Sequence, residues 1–302
     1  MKLAPIAFFA FNRPEHTRRV LESFSLNKES SETELHAFID GPRNEEDIQK
    51  IEEVKKIFKE RKWCKALEIH AESKNRGMAP QIISGLTKLC NEKGRVIMLE
   101  DDTLVSPYFL DFLNMGLNKY ENEEKVMSVC GYLYPIERCS FESAFMVGGG
   151  YWGWGTWQRA WQYFDPDGND LLARIEKQKL ICKLNVQNSD NKYRMLKRQA
   201  KGEISSFAIR WHAVTILRNG LNLFPGRSLV QNIGFDGTGI HTYKSKKYDV
   251  ELLMRPVKEY PEKIEESQEL LNAVAKCFRR RNKLYIKVLE RLRSYFLKLF
   301  KR

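Results

Sequence analysis

The stretch RVIMLEDDTLVSP, residues 95–107, joins a short apolar run to three consecutive carboxylates. Residues 96–99 are all apolar, which is typical of a buried strand. Glu100, Asp101 and Asp102 follow at once, although neighbouring carboxylates repel one another and lose hydration when they are buried. A positive charge, or access to water, is therefore expected at the end of this strand.

Strand and helix patterns alternate through the first half of the chain. Apolar runs predict strands at 3–11, 35–39, 66–71 and 96–99, and apolar residues three and four apart predict helices at 15–24, 44–58, 78–90 and 107–120. Asn44 is the predicted N-cap of the second helix. Such alternation is typical of a mainly parallel sheet that helices cover on both faces. The sequence therefore predicts an α/β, Rossmann-like fold.

Polar residues follow each of the four predicted strands. They are Asn12 with Arg13, residues 40–43, residues 73–77 and residues 100–102. Ligands of parallel sheets bind beyond the carboxyl ends of the strands. We therefore expect the four polar groups to line one crevice.

The three carboxylates suggest a cation site. Side chains alternate along a strand, so Glu100 and Asp102 are expected on one side and Asp101 on the other. At most two of them would then share a ligand, and a hard divalent cation such as Mg²⁺ or Mn²⁺ suits oxygen donors of this kind. The alternative is that the acids stabilise the N-terminus of the following helix.

Composition excludes several classes of protein. A chain of 302 residues, 42% of them hydrophobic, can bury a sizeable core in one or two domains. No apolar stretch approaches the roughly 18 residues that span a bilayer. The six cysteines show no C-x-x-C pair and no close histidine, which argues against a zinc finger and favours reduced thiols in the cytoplasm.

The motifs at the four strand ends resemble one known family when they are taken in order. AFNRPEHTRRVLESF, FIDGP, SKNRGMA and EDD, between residue 4 and about residue 130, resemble the nucleotide-sugar-dependent glycosyltransferases of the GT-A fold. The chain is most similar to bacterial family-2-type enzymes and the N-acetylglucosaminyltransferase I group, which carry EDD in place of the commoner DxD. The resemblance implies a GT-A domain at 1–264, with a nucleotide-sugar-binding half at 1–130 and an acceptor-binding half at 131–264.

The resemblance also implies roles for the carboxylates. Asp102 would ligate the Mn²⁺ or Mg²⁺ ion that binds the diphosphate of the donor. Glu100 and Asp101 would serve the ribose, the donor sugar or metal-bound water. A divalent cation stabilises the charge of a diphosphate leaving group as a Lewis acid, so the residue types agree with the implied chemistry.

Other residues at the strand ends would bind the nucleotide. By resemblance, Arg13 contacts the nucleotide, Asp40 reads the uracil edge, and Asn75 lies near the base or ribose. Asn12 and Arg43 complete the predicted donor-binding set. Arg13 and Arg43 could add charge-assisted hydrogen bonds to the diphosphate. The alternative for either arginine is a merely solvated side chain.

The stretch YWGWGTWQRAW, residues 151–161, carries four tryptophans. Galactosyltransferases of the GT-A fold have a similar WGWG loop beside the acceptor, so Trp152 and Trp154 are predicted acceptor-binding residues. Flat indoles suit the face of a sugar ring. Trp157 and Trp161 stand four apart, as on one face of a helix, and are predicted to pack in the core.

The segment GFDGTGIH, residues 234–241, resembles the flexible segment that closes over the donor in this fold. A histidine there often completes the metal site, which makes His241 a candidate ligand. The alternative is an ordinary exposed histidine. FDGT is also similar to a phosphatase motif, but Gly234 occupies the position where that motif needs its nucleophilic aspartate.

An inverting transferase needs a carboxylate that takes the proton of the acceptor hydroxyl. The related family places an acid in a segment that corresponds here to SFAIRWHAV, residues 206–214, and this segment contains none. Asp165, Asp236 and Glu203 remain candidates for the base. Asp165 is slightly preferred because it follows the tryptophan-rich stretch, although DPDG is also a good turn sequence.

Positive charge is concentrated at the C-terminus. The net charge is +12, and residues 276–302 hold eleven Lys or Arg and one Glu, which leaves about +2 for the rest. Residues 265–302 are predicted to form a basic amphipathic helical tail that binds an anionic membrane from the cytoplasm. The alternative is a helix that docks on its own domain or on a second subunit. Nucleic acid is not an expected partner, since no aromatic-basic sheet motif accompanies the charge.

These observations predict a metal-dependent hexosyl- or N-acetylhexosaminyltransferase. It would move a sugar from a nucleotide-diphosphate sugar, UDP-linked by preference, to a hydroxyl of a glycan or lipid-linked glycan, with inversion. One alternative is a sugar nucleotidyltransferase, but FAFNRPEH lacks the glycine-rich phosphate loop expected after its first strand. The other is a non-catalytic, membrane-associated sugar-binding protein, which would not need a cation at Asp102.

Overall fold

Ten strands and ten α-helices make up the regular structure of the residues that this computed structural model describes, 2–237 and 245–282. The strands are β1 (Ile6–Ala10), β2 (Glu34–Ile39), β3 (Ala66–Ala71), β4 (Arg95–Glu100), β5 (Thr103–Val105), β6 (Val126–Cys130), β7 (Ser143–Val147), β8 (Trp154–Trp157), β9 (Leu221–Pro225) and β10 (Val230–Asn232). The helices are α1 (Pro14–Ser25), α2 (Glu45–Lys59), α3 (Met78–Lys93), α4 (Phe109–Lys119), α5 (Gln158–Trp161), α6 (Gly168–Lys177), α7 (Ile181–Leu184), α8 (Lys192–Ala200), α9 (Phe207–Leu217) and α10 (Gln268–Arg281).

Eight of the strands form one sheet in the order β3-β2-β1-β4-β8-β6-β9-β7. The first four are parallel, β8 pairs antiparallel with both β4 and β6, β9 is parallel to β6, and β7 is antiparallel to β9. Six strands therefore run in one direction. The predicted α/β architecture, a mainly parallel sheet flanked by helices, is confirmed.

The first half of the sheet follows from local sequence. Every residue of β1 is buried, as expected for a strand that helices cover on both faces. The side chain of Asn44 accepts a hydrogen bond from the backbone N–H of Asp47, which confirms it as the N-cap of α2. The four predicted strands and the four predicted helices all form, and their ends differ from the prediction by at most a few residues.

The second half is more regular than its sequence suggests. The tryptophan-rich stretch supplies β8, which lies in the middle of the sheet between β4 and β6. Trp157 and Trp161 are 2% and 4% exposed, so their predicted core packing is confirmed. The strands β6, β7 and β9 were not predicted, because each is a short run without helical or strict alternating periodicity.

Both predicted halves share the same sheet, and the start of the predicted tail packs on it. The backbone N–H of Ser267 donates to the carbonyl of Phe145 in β7, and α10 buries Leu270, Val274 and Phe278. Residues 268–281 are therefore a docked helix, as the alternative interpretation of the tail proposed. The rest of that tail, 283–302, lies outside the described residues. No described helix has the length and apolarity required to cross a membrane.

Candidate active site

The three carboxylates lie where the ends of β1 and β4 meet. β1 and β4 are parallel neighbours, with Phe9 opposite Glu100. The backbone N–H of Asp101 donates to the carbonyl of Phe9 at 2.9 Å, and Asp101 Oδ2 accepts from the backbone N–H of Phe11 at 3.2 Å. Asp101 is 4% exposed. Its carboxylate is thus directed to the backbone that follows β1.

Asp102 is held from two directions. Arg13 Nη1 donates to Asp102 Oδ2 at 3.2 Å, and Asn232 Nδ2 donates to Oδ1 at 3.2 Å. The antiparallel pairing of β5 with β10 places Asn232 opposite Thr103 and therefore beside Asp102. A Cβ atom at Gly234 would lie 2.1 Å from Asp102 Oδ2, so any larger residue there would displace the carboxylate.

Glu100 faces a cavity of about 260 Å³. The cavity is lined by Met78, Ala79, Glu100, Tyr151, Trp152 and residues 205–208. Among these described residues, Glu100 is the only carboxylate. The N-terminal end of α9 forms part of the wall, with Ser206 as its N-cap. Segment 206–214, in which the family resemblance places a catalytic acid, therefore contributes hydroxyl and apolar groups to this cavity.

Burial raises the pKa values of all three carboxyls, and repulsion by neighbouring carboxylates adds to the shift for Glu100 and Asp101. Burial, followed by the charges of Asp102 and Asp101, raises the pKa of Glu100 well above its usual value. Burial and the charge of Asp102 raise the pKa of Asp101 to about 7. Burial also raises the pKa of Asp102, although Arg13 opposes that shift. One arginine does not neutralise three carboxylates, so the cluster favours an added cation.

The donor atoms fit a magnesium or manganese ion that substrate oxygens help to hold. Within residues 2–237 and 245–282, the one group of three His, Cys, Asp or Glu ligand atoms that converge within 4.8 Å lies elsewhere, in β2 and β3. The acidic triplet is therefore not a closed three-ligand cage. Mg²⁺ characteristically binds one or two carboxylates and completes its shell with waters and phosphates, and Asp102 is the carboxylate placed for this role.

The end of β2 is joined to the loop that follows β3 through Asp40. Asp40 is 2% exposed, and its two carboxylate oxygens accept hydrogen bonds from Asn75 Nδ2 and from the backbone N–H groups of Gly41, Arg76 and Gly77, each at 2.9 Å. Asn75 Nδ2 also donates to the carbonyl of Gly41. The two predicted nucleotide-binding residues, Asp40 and Asn75, thus lie together at the ends of β2 and β3.

Glycine is required where these two segments meet. A Cβ atom on Gly41 would lie 2.4 Å from the carbonyl carbon of Lys74, which is a backbone atom that cannot swing away. The GP turn after β2 therefore allows the segments after β2 and β3 to pack directly against each other.

Asn12 and Arg43 meet at Asp47 in the first turn of α2. Asn12 Nδ2 donates to Asp47 Oδ1 at 2.5 Å, and Arg43 donates from Nε and Nη2 at 2.9 and 3.1 Å. The hydrogen bonds from Arg43 lower the pKa of Asp47 to about 2. The Arg43 guanidinium also lies 4.7 Å from the ring centre of Phe11. Both side chains are therefore positioned by Asp47, a buried residue of α2.

The two tryptophans predicted to bind an acceptor occupy different environments. Trp152 is partly exposed, lines the cavity and packs edge-on against Tyr132 at 4.7 Å and Tyr248 at 5.4 Å. Trp154 is 1% exposed, and its indole N–H donates to the sulfur of Met98. Trp154 is a core residue in this structure, because β8 is a central strand and its side chains are covered.

The three candidates for the catalytic base have different surroundings. Asp165 accepts from the backbone N–H of Asp167 in the turn before α6, and its other oxygen lies 3.4 Å from Arg174. Glu203 is exposed and paired with Arg198.

Asp236 is the candidate beside the acidic triplet. It follows two residues after Gly234, which contacts Asp102, and its Oδ2 lies 3.1 Å from Nε2 of His16. His16 is itself buried, in α1. His241, the predicted histidine ligand, lies outside the described residues.

Several residues of the site were not found from the sequence. Asn232, His16 and Asp47 reach it only through the pairing of β10 with β5 and the packing of α1 and α2. Local signals were weak: Asn232 stands two residues before the GFDG segment, and His16 lies one turn after Arg13. Neither spacing identifies a site residue by itself, because the segments come together only in the folded protein.

Among the solved structures that are similar to the chain are three sugar-transferring or nucleotide-bound proteins. Mannosyltransferase PcManGT from Pyrobaculum calidifontis, in complex with GDP-Man and Mn²⁺, is 11% identical, with 72% of this chain and 70% of that chain covered and a TM-score of 0.40. Mouse xyloside xylosyltransferase 1, in its apo form, is 11% identical, with 70% and 81% covered and a TM-score of 0.35. S. aureus TarS 1-349, in complex with UDP, is 13% identical, with 43% and 35% covered and a TM-score of 0.33.

These comparisons are distant. The chain spans about a third of the TarS fragment. No family model matches the chain, and no curated protein matches it. The geometry of the site is therefore the basis for assigning a function.

Proposed function

We propose that the chain is a metal-dependent glycosyltransferase of the GT-A fold. It would transfer a sugar from a nucleoside-diphosphate sugar, UDP-linked by preference, to a hydroxyl of a glycan or lipid-linked glycan. The observation that carries the proposal is the pairing of the partly buried acidic triplet with a cavity at the carboxyl end of β4. The donor wall of Asp40 and Asn75 lies beyond the ends of the neighbouring strands of the same sheet.

Asp102 and Arg13 would bind the diphosphate. A divalent cation bound at Asp102 supplies Lewis-acid stabilisation to the departing nucleoside diphosphate. Arg13, whose guanidinium is already 3.2 Å from Asp102, adds charge-assisted hydrogen bonds to the same oxygens. Asn232 holds the other oxygen of Asp102 and so fixes the direction of the carboxylate.

Glu100 and Trp152 would hold the reacting sugars. Glu100 is the carboxylate in the cavity and can accept hydrogen bonds from sugar hydroxyls. Trp152 offers an aromatic face at the rim of the same cavity. The hexosyl or N-acetylhexosaminyl character of the donor depends on how the sugar fits between these two residues.

We place Asp236 first among the candidates for the base. In an inverting transfer, the acceptor oxygen attacks the anomeric carbon while the bond from that carbon to the diphosphate oxygen breaks. The hydroxyl proton passes to a carboxylate, and the nucleoside diphosphate leaves with the bonding electrons. Asp236 lies on the segment that packs against Asp102, and its Oδ2 lies 3.1 Å from Nε2 of His16.

Donor turnover tests the proposal. The full chain is incubated with UDP-, GDP- and dTDP-sugars, with Mn²⁺, Mg²⁺ or a chelator, and free nucleoside diphosphate and nucleotide binding are measured. We expect metal-stimulated release from at least one donor and a loss on the order of 100-fold or more in Asp102→Asn. Glu52→Gln, an exposed acid on α2, is the matched control and should behave as wild type.

The same assay separates the alternatives. Pyrophosphate formed from a nucleoside triphosphate and a sugar phosphate would identify a nucleotidyltransferase, and saccharide binding without nucleotide binding would identify a sugar-binding protein. No metal-stimulated release, together with nucleotide binding that Asp102→Asn leaves unchanged, would refute the transferase.

The base assignment has its own test. Asp236→Asn should lower kcat by about 10²–10⁴-fold while leaving metal-dependent nucleotide binding intact. Asp165→Asn and Glu203→Gln should change kcat little. A large loss in either of those two variants, with Asp236→Asn active, would move the base to that residue.

We also propose that residues 283–302 bind an anionic membrane surface. This segment holds seven Lys or Arg and one Glu, with apolar residues three and four apart. A protein bound in this way at the cytoplasmic face would meet lipid-linked acceptors there.

A further inference from the structure

We propose that His36, Glu68 and His70 form a second metal site, on the outer edge of the sheet, for a transition-metal ion such as Zn²⁺. His36 lies in β2, and Glu68 and His70 lie in the edge strand β3. His36 pairs directly with Glu68, and His70 pairs with Phe38. Because side chains alternate along strands, all three ligands are on one face of the sheet.

The ligand atoms have the spacing of a tetrahedral site. His36 Nδ1 lies 3.3 Å from His70 Nε2 and 3.3 Å from a carboxylate oxygen of Glu68, and His70 Nε2 lies 3.4 Å from the other oxygen. Ligands about 2.0–2.1 Å from a tetrahedral ion are about 3.3–3.4 Å from one another. One ion can therefore bind all three groups without rearrangement of the strands.

Neighbouring groups orient both imidazole rings. His70 stacks on Phe38 with 4.5 Å between ring centres, which directs Nε2 toward His36. On the far side of the His36 ring, Nε2 lies 3.9 Å from Glu34, beyond hydrogen-bond distance, and Glu34 is held by Lys93 at 2.7 Å. A small rotation of either side chain would make this carboxylate the outer partner that zinc-bound histidines usually have.

The ligand set and its exposure favour zinc over the ion expected at Asp102. Two imidazoles and one carboxylate suit Zn²⁺, whereas Mg²⁺ and Mn²⁺ prefer sites built mainly of oxygen donors. The His36 side chain is 7% exposed, that of His70 23% and that of Glu68 58%, so an ion can enter past Glu68 and keep a water as its fourth ligand. Bound metal would tie β3, an exposed edge strand, to β2.

This cross-link would also bear on the crevice. β3 leads into the loop whose Asn75, Arg76 and Gly77 donate hydrogen bonds to Asp40. An ion that fixes β3 against β2 therefore limits the movement of that wall. The role is structural, since the three ligands are in β2 and β3 and the acidic triplet is at the end of β4.

Cobalt binding tests the site. Full-length protein without a polyhistidine tag is treated with chelator and titrated with Co²⁺. We expect one ion per chain, visible bands of a tetrahedral ion without the thiolate charge-transfer band that a cysteine ligand would give, and displacement by Zn²⁺. Zn²⁺ should also raise the Tm of the chelated protein.

Substitutions of the proposed ligands test whether these residues bind the ion. His70→Gln and Glu68→Gln should weaken cobalt binding by more than the roughly 10–100-fold that loss of an outer partner costs. Glu72→Gln, an exposed acid just after β3 that pairs with Arg76, is the matched control, and Asp102→Asn separates this site from the acidic triplet. Both should bind cobalt as wild type does. If His70→Gln fails to fold, Glu68→Gln carries the test, because that side chain is mostly exposed.

The opposite results would overturn the site. An octahedral cobalt spectrum, more than one weak ion per chain, or equal affinity in wild type and Glu68→Gln would leave His36, Glu68 and His70 as a hydrogen-bonded cluster only. Neither result would bear on turnover of nucleotide sugars, which depends on Asp102.

Discussion

Asp101 illustrates how burial turns a carboxylate into a pH-dependent element of stability. Its folded-state pKa of about 7 exceeds the ordinary value of 3.8. The folded protein therefore binds more protons than the unfolded chain between about pH 4 and pH 7, and linkage makes Asp101 reduce stability as the pH rises through that range. A cation beside the triplet would reverse this effect, because it favours the charged form.

We predict that Asp101→Asn, in the presence of chelator, gains stability over wild type as the pH is raised from 5 to 8. The gain should be on the order of 1–4 kcal/mol, since each unit of pKa shift corresponds to about 1.4 kcal/mol. Urea unfolding at both pH values measures it, and added Mn²⁺ should remove the gain by stabilising the wild type. A difference between the two proteins that is independent of pH would contradict the assignment.

At the scale of elements, α9 is joined to the glycine-rich loop before β8 by a neutral histidine. His212 Nδ1 accepts a weak hydrogen bond from the backbone N–H of Gly149 at 3.4 Å, so Nε2 carries the proton that it donates to the carbonyl of Leu184. A Cβ atom on Gly148 would lie 2.4 Å from the ring, so this loop needs glycine. Burial lowers the pKa of His212 to about 3.

We predict that His212 makes the protein sensitive to acid. Because the folded protein holds His212 in its neutral form, His212 contributes fully to the free energy of unfolding above the unfolded-state pKa of about 6.5. That contribution is lost as the pH falls from 6.5 toward 3. His212→Gln should be less stable than wild type at pH 7, and the gap should shrink by about 3 kcal/mol at pH 4. Urea unfolding of both proteins at pH 7, 5 and 4 tests this, and a constant gap would rule it out.

Helix α10 is predicted to contribute to the stability of the whole sheet. Phe278 is 5% exposed, and its ring packs edge-on against Tyr134 at 4.7 Å. Phe278→Ala should lower the free energy of unfolding by about 3–5 kcal/mol. Met254→Ala, at a side chain that is 63% exposed, is the control and should change it by less than about 0.5 kcal/mol. Equal effects would mean that α10 does not unfold together with the sheet.

At the scale of the whole molecule, most of the net positive charge lies in the part of the chain that follows the sheet. Ten of the twelve net positive charges belong to residues 276–302, and α10 ends at Arg281 within that range. A truncation after Lys276 would remove Cys277 and Phe278, which are buried. The test of membrane binding must therefore keep residues 1–282.

We predict that removal of residues 283–302 abolishes sedimentation with anionic vesicles. Binding of the full chain should fall as salt is added, because salt screens the attraction between basic residues and anionic lipid. The truncated protein should keep the Tm of the full chain, which controls for folding. Unchanged sedimentation after truncation, or equal binding to neutral vesicles, would refute an electrostatic membrane anchor.

The residues at the strand ends could be predicted from the sequence, but the distant residues that contact them could not. Residues 96–102 show a buried run that stops at carboxylates, and this local pattern is enough to place Glu100, Asp101 and Asp102 at the end of a strand. Asn232 and His16 belong to the same site because β10 pairs with β5 and α1 packs nearby. The environment of Trp154 also depends on strand pairing, since its sequence resembles an acceptor loop while β8 buries it in the middle of the sheet.

By itself, the sequence determined the α/β class, the four parallel strands of the first half and the position of the acidic triplet. These depend on apolar periodicity and on helix caps, which act over a few residues. The tertiary structure alone decided the second half of the sheet, the docking of α10, the closeness of Asp236 to His16 and the meeting of His36 with Glu68 and His70. Those features depend on contacts between residues far apart in the chain, and no local pattern specifies which of many compatible strands becomes the neighbour.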